Sequence, residues 1–185
     1  LTTAAGSVIR LQPDATTGSA TLNTNNLTNN GAIELTSTGG AFNASLNISS
    51  TWTNAAGGTI TSFPGTGGGR SMTSLNNLGT ITVLSGNSTS GILQVNGVLT
   101  TSGIVNLEIG GAALGTGYSQ LRSLTGLNLG GTLNVGLIGG FVPTGGTTFT
   151  SLFGPPGATT FATVNLPGGW APPTYNVNSV VLTAP

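Results

Sequence analysis

Apolar residues in this chain come in short runs, two positions apart, with turn residues between them. Ile33 and Leu35, and Ile81 and Val83, alternate with small or polar neighbours, the period of two expected of a strand with one buried side. Helix formers never combine at a 3.6-residue period and glycine is too frequent for helix. The pattern predicts an all-β chain.

The strands recur in four alignable segments. The first runs from Ser19-Ala-Thr-Leu22 through Leu27-Thr-Asn29-Asn-Gly31-Ala-Ile33-Glu-Leu35. The second holds Ser45-Leu46-Asn-Ile48, Trp52-Thr-Asn54 and Gly58-Thr-Ile60-Thr-Ser62. The third holds Ser71-Met72, Leu75-Asn-Asn77 and Gly79-Thr-Ile81-Thr-Val83. The fourth holds Ile92-Leu93-Gln-Val95, Leu99-Thr and Gly103-Ile-Val105-Asn-Leu107. Their shared glycines at 31, 58, 79 and 103 are 27, 21 and 24 residues apart. Irregular steps of that size suit the coils of a parallel β-solenoid, where strands hold register and loops absorb the variation. Each glycine, placed just before a strand, is expected to supply a positive φ at a corner. Asn29, Asn54 and Asn77 recur at one corner, either as a stacked amide ladder or as simple turn formers.

After Gly110-Gly111 the pattern changes, and four of the six phenylalanines and both tyrosines follow. Bulky rings can close the open end of a repeat core. The expected organisation is about four coils over residues 1–110, continuous with a strand-rich cap over 111–185.

Charge alters the picture of function more than of fold. Only 3% of residues are charged: Arg10, Arg70 and Arg122 against Asp14, Glu34 and Glu108. An ordinary domain carries roughly a quarter. With net charge zero, phosphate backbones and anionic membranes have no electrostatic reason to bind. Little repulsion keeps copies apart either, so the surface suits association. The hydrophobic fraction of 37% separates the chain from disordered polar tracts. No apolar run reaches the roughly 18 residues of a membrane helix. No basic and apolar leader opens the chain, so the expectation is a trimmed part of a longer exported precursor.

Catalytic chemistry has little to work with. The chain lacks histidine, lysine and cysteine, so no base is present to activate a hydroxyl and no thiolate to bind metal. Glu34 and Glu108 lie in comparable strands about three coils apart, roughly 14 Å at about 4.8 Å per coil, too far for a glycosidase pair. Gly67-Gly68-Gly69-Arg70-Ser71 lacks the lysine and helix of a phosphate loop. The sequons at Asn26, Asn43, Asn47 and Asn87 are expected by chance in so Asn- and Thr-rich a chain. The expectation is a non-enzyme without cofactor or metal.

The stretch Gly115-Thr-Gly117-Tyr118-Ser-Gln-Leu121, Leu129-Gly-Gly-Thr-Leu133-Asn-Val135, Gly140-Phe141-Val-Pro143 and Gly146-Thr-Thr-Phe149 resembles the end of autotransporter-type passenger domains. It is also similar to β-strand-repeat bacterial surface and matrix proteins, some carrying a Pro-Glu-Pro sorting tag. Ser119 and Gly146 stand where that pattern usually has aspartate. The resemblance implies a right-handed solenoid with a terminal cap, exported to a bacterial surface.

Three functions compete. In the first, the chain is a structural protein of an extracellular filament, sheath or biofilm matrix. It associates with itself through end strands at Val8, Ile9 and Leu11 and at Val180, Val181 and Leu182, which alternatively pair within their own caps. In the second it is an adhesin or polysaccharide-binding module. Trp170, in a Gly- and Pro-rich loop, is then the candidate contact or a loop anchor, while Trp52 aligns with core leucines. The third is ice binding by Thr59-Ile-Thr61 and Thr80-Ile-Thr82, but the neighbouring rungs Ala32-Ile-Glu34 and Ile104-Val-Asn106 interrupt the ladder.

Overall fold

The computed structural model describes residues 1–65, 68–86 and 91–185. After β1 (Val8–Leu11), the chain winds through coils of three strands. The first coil is β2 (Ala20–Thr24), β3 (Thr28–Asn29) and β4 (Ala32–Leu35). The second is β5 (Ala44–Ile48), β6 (Trp52–Asn54) and β7 (Thr59–Ser62). Then follow β8 (Arg70–Met72), β9 (Leu75–Asn77) and β10 (Thr80–Val83), and β11 (Ile92–Val95), β12 (Val98–Thr101) and β13 (Ile104–Ile109). A further coil holds β14 (Gln120–Ser123), β15 (Gly126–Asn128) and β16 (Thr132–Leu137). The last strands are β17 (Thr148–Phe153), β18 (Thr163–Asn165), β19 (Thr174–Asn176) and β20 (Ser179–Thr183).

Equivalent strands stack into three sheets, giving an all-β parallel solenoid of about five turns. One sheet runs β1-β4-β7-β10-β13-β16-β18, a second runs β2-β5-β8-β11-β14-β17-β20-β19, and a third runs β3-β6-β9-β12-β15. Among the described residues, the strands of these sheets pair in parallel except β17–β20 and β20–β19.

The core is a set of vertical columns. Ile9, Ile33, Ile60, Ile81, Val105, Leu133 and Val164 occupy matching inward positions of the first sheet. The five middle members are buried and the two at the ends half-buried. Trp52 sits beside Leu75 and is 1% exposed, a core residue. Arg70 is inward too, in register with Ala44 and Leu93. Its guanidinium donates to the Gly68 carbonyl (2.8 Å) and to the Ser37 hydroxyl (3.1 Å). Burial pulls its pKa down to about 10.

The coil ladders do not stop at residue 110. Residues 110–119 form a loop closed on itself by bridges of Tyr118 with Ile109 and Leu114. The chain then re-enters the stack at β14, in parallel register with β11. The change of pattern near Gly110 is therefore an insertion within the stack. The antiparallel roof begins only where β20 pairs with β17.

The corner glycines act through space rather than through φ. Of Gly31, Gly58, Gly79, Gly103 and Gly131, only Gly131 has a positive φ, +64°. At every one, an added Cβ would stand under 3 Å from a carbonyl oxygen of the preceding coil. Their own carbonyls accept from the next coil, as in Thr80 N–H to Gly58 O (3.0 Å) and Ile104 N–H to Gly79 O (2.8 Å). Backbone packs on backbone there, and any side chain would force the coils apart.

Candidate functional site: the solenoid corner, faces and ends

At the corner after the third sheet, Asn29, Asn54 and Asn77 are each fully buried. The Asn29 amide donates to Asn54 Oδ1 and the Asn54 amide to Asn77 Oδ1, both at 2.8 Å. The column is finished by hydroxyls, Thr3 donating to Asn29 Oδ1 (2.8 Å) and Thr101 accepting from Asn77 (3.0 Å). Each amide also donates toward the carbonyl of its corner glycine, Gly31, Gly58 or Gly79. In the next coil Leu129 follows Asn128 at this place and the column ends.

A second asparagine column runs outside. On the outward side of the first sheet, successive rungs carry Arg10, Glu34, Thr61, Thr82, Asn106, Asn134 and Asn165. Arg10 pairs with Glu34. Asn106 donates to the Thr82 hydroxyl (3.1 Å), Asn134 to Asn106 (2.8 Å) and Asn165 to Asn134 (2.7 Å). Sequence reasoning passed over it, although each of its asparagines sits between two apolar residues: Val105-Asn106-Leu107, Leu133-Asn134-Val135 and Val164-Asn165-Leu166. The two Thr-x-Thr rungs stack as neighbours, Thr59 on Thr80 and Thr61 on Thr82, and asparagine takes over in the rungs beyond.

The acidic groups stand apart. Asp14 caps a turn, accepting from the Thr16 and Thr17 backbone and the Thr17 hydroxyl. These bonds, the Thr17 backbone first, hold its carboxyl below its usual pKa. Glu108 accepts from the Ser85 N–H at 3.0 Å. Among the described residues no three His, Cys, Asp or Glu side chains gather as a metal site. Gly67 and the Asn87 sequon lie outside the described residues. Arg70, turned into the stack, does not serve a phosphate loop.

The two ends differ. At the N-terminal end, among the described residues, β1 pairs only with β4 and β2 only with β5, so each ends its sheet with one side unpaired. Val8 is outward and 56% exposed, while Ile9 and Leu11 face inward and are half-buried. At the other end, Val180, Val181 and Leu182 are not an edge. Their strand β20 is held antiparallel between β17 and β19, with Val180 and Leu182 fully buried. The tight Asn176–Ser179 turn folds β19 back over what would otherwise be the open side. Among the described residues the last strands of the three sheets at this end are β15, β18 and β19, and a loop covers β15, Leu127 N–H donating to Pro155 O (2.8 Å).

Aromatic residues roof the C-terminal end. Phe149 is fully buried, meeting Tyr118 and Phe141 edge-on at 5.3 and 6.5 Å and Trp170 in a stack at 5.6 Å. Desolvation raises the Tyr118 pKa. Trp170 is half-buried. Pro167-Gly168-Gly169-Trp170 brings it back by a turn closed from Trp170 N–H to Pro167 O (3.3 Å). Gly169 at φ +85° meets the turn's need for a left-handed residue. No protein-family model, curated protein or solved structure matches this chain.

Proposed function

We propose that the protein is a non-catalytic structural component of an extracellular filament, sheath or matrix at a bacterial surface, and that copies associate through the N-terminal end of the stack. The observation that carries this reading is the open pair β1 and β2, which presents unpaired backbone beside half-buried Ile9 and Leu11. Soluble proteins usually guard such edges with charge, bulges or proline. Here the only charge on β1 is Arg10, already engaged by Glu34. The sparsely charged surface and the resemblance of residues 103–182 to exported repeat proteins support the setting. Two copies joined at this end make a closed rod of two solenoids, the building block that the filament, sheath or matrix packs together.

The test is light scattering across a concentration series, paired with negative-stain electron microscopy. The wild-type chain is expected to grow in mass with concentration and to show rods at least two solenoids long. Ile9→Lys, which puts a charge on the inward side of the edge strand, is expected to stay monomeric. A wild-type chain that remains monomeric throughout overturns the reading.

A further inference from the structure

At the C-terminal end the second sheet runs on through β20 and β19 while the first stops at β18. The step leaves a cavity of about 530 Å³ lined mainly by Phe161, Val164, Leu166, Trp170, Pro172 and Tyr175. The geometry points to this step as a binding site for a neutral saccharide, a role that does not depend on association at the opposite end.

The volume falls within the roughly 300–1,000 Å³ of small-ligand sites. No lining residue carries a charge, so an anionic or cationic ligand would be desolvated without a partner. A purely apolar ligand would leave the polar part of the wall unpaired, because Thr160 and the Gly168-Gly169 backbone also line the cavity. A pyranose ring answers both conditions, with a face of C–H groups and a rim of hydroxyls. Trp170 offers a platform for the first. It is stacked on buried Phe149, which fixes the ring plane, and the half-buried indole lines the cavity. Tyr175 serves the second. Its hydroxyl oxygen accepts from the Phe161 N–H at 3.3 Å, which leaves the phenolic proton free to donate. Pro172 and Pro173 stiffen the wall, so little ordering is needed on binding.

The test is isothermal titration of the full chain with cellohexaose, chitohexaose and maltohexaose, with pull-down on insoluble cellulose and chitin beside it. At least one neutral oligosaccharide is expected to bind with a dissociation constant between micromolar and millimolar. Trp170→Ala is expected to weaken binding at least tenfold and Tyr175→Phe several-fold. Trp170→Phe, which keeps the stack on Phe149, guards against loss of folding and is expected to give an intermediate loss. Ile9→Lys should bind sugar as the wild type does, whatever it does to association. Absence of binding to all of these sugars, or unchanged binding by Trp170→Ala, overturns the assignment. So does a Trp170→Ala chain that loses self-association instead, which would make the step a protein contact.

Discussion

Asparagine is used twice along this molecule, and the two columns teach different things. The inner one, Asn29-Asn54-Asn77, is sealed from water and borders the glycine column where coils touch backbone to backbone. The outer one, Asn106-Asn134-Asn165, has the same hydrogen-bonded chain but lies on a sheet face that water reaches. A buried amide that loses its neighbour has no replacement, whereas an outer one turns to solvent. The same residue in the same kind of ladder is therefore a requirement of the fold in one place and an ornament in the other.

The sharpest way to break the comparison is Asn54→Leu. It takes the donor from Asn77 Oδ1 in a buried corner, while the Asn29 amide keeps the Gly31 and Thr59 carbonyls, and should lower unfolding free energy by about 1–3 kcal/mol, the cost of one unsatisfied buried group. Urea denaturation followed by far-UV circular dichroism measures it. Asn134→Ala removes the middle of the outer column and should cost about 0.5 kcal/mol or less in the same experiment, as exposed side-chain bonds do. If the two losses came out equal, the distinction by burial would be wrong. Thr82→Asn, which extends the outer column by one rung toward Glu34, should change stability by no more than a few tenths of a kcal/mol.

The smallest effect expected is that of pH. Two of the three resolved shifts point away from neutrality, and Arg70, though lowered, stays near 10. Asp14, its pKa depressed in the fold, contributes stability above the ordinary carboxylate range and loses it as pH falls through the folded value. Tyr118, raised, loses stability as pH climbs past its ordinary value of 10. Arg70 works the other way, because above about pH 10 the unfolded chain holds more protons than the folded one, so its burial penalty eases as pH rises further. With no histidine in the chain, the melting temperature between pH 5 and 9 should move by no more than about 2 °C. A steep slope in calorimetric scans across that range would mean that another group governs the fold.

Much of the architecture was legible because a solenoid writes its register into the chain. Ile33, Ile60, Ile81 and Val105 announce one column, and Gly31, Gly58, Gly79 and Gly103 announce the corner beside it. What could not be read was spatial. The loop from Gly110 to Ser119 hid the return of the chain to the stack at Gln120, because an insertion shifts spacing without changing the strands that follow. The glycines were assigned to φ when they answer to the carbonyl beneath them. Strand direction is not encoded in alternation, so Ser179-Val-Val-Leu182 looked like a free edge. The two-residue loop Val177-Asn178 was the local sign that it belongs to a hairpin.

Because every coil is hydrogen-bonded to its neighbours along the long axis, the molecule has a definite mechanical character. Tension applied between the two ends pulls along those bonds and is resisted by one interface at a time, so coils give way singly. A coil of about 24 residues frees roughly 80 Å of extended chain, against a rise of about 4.8 Å while wound. Stretched between two surfaces, such a chain yields in large, discrete steps and absorbs work at each, behaving as a damper.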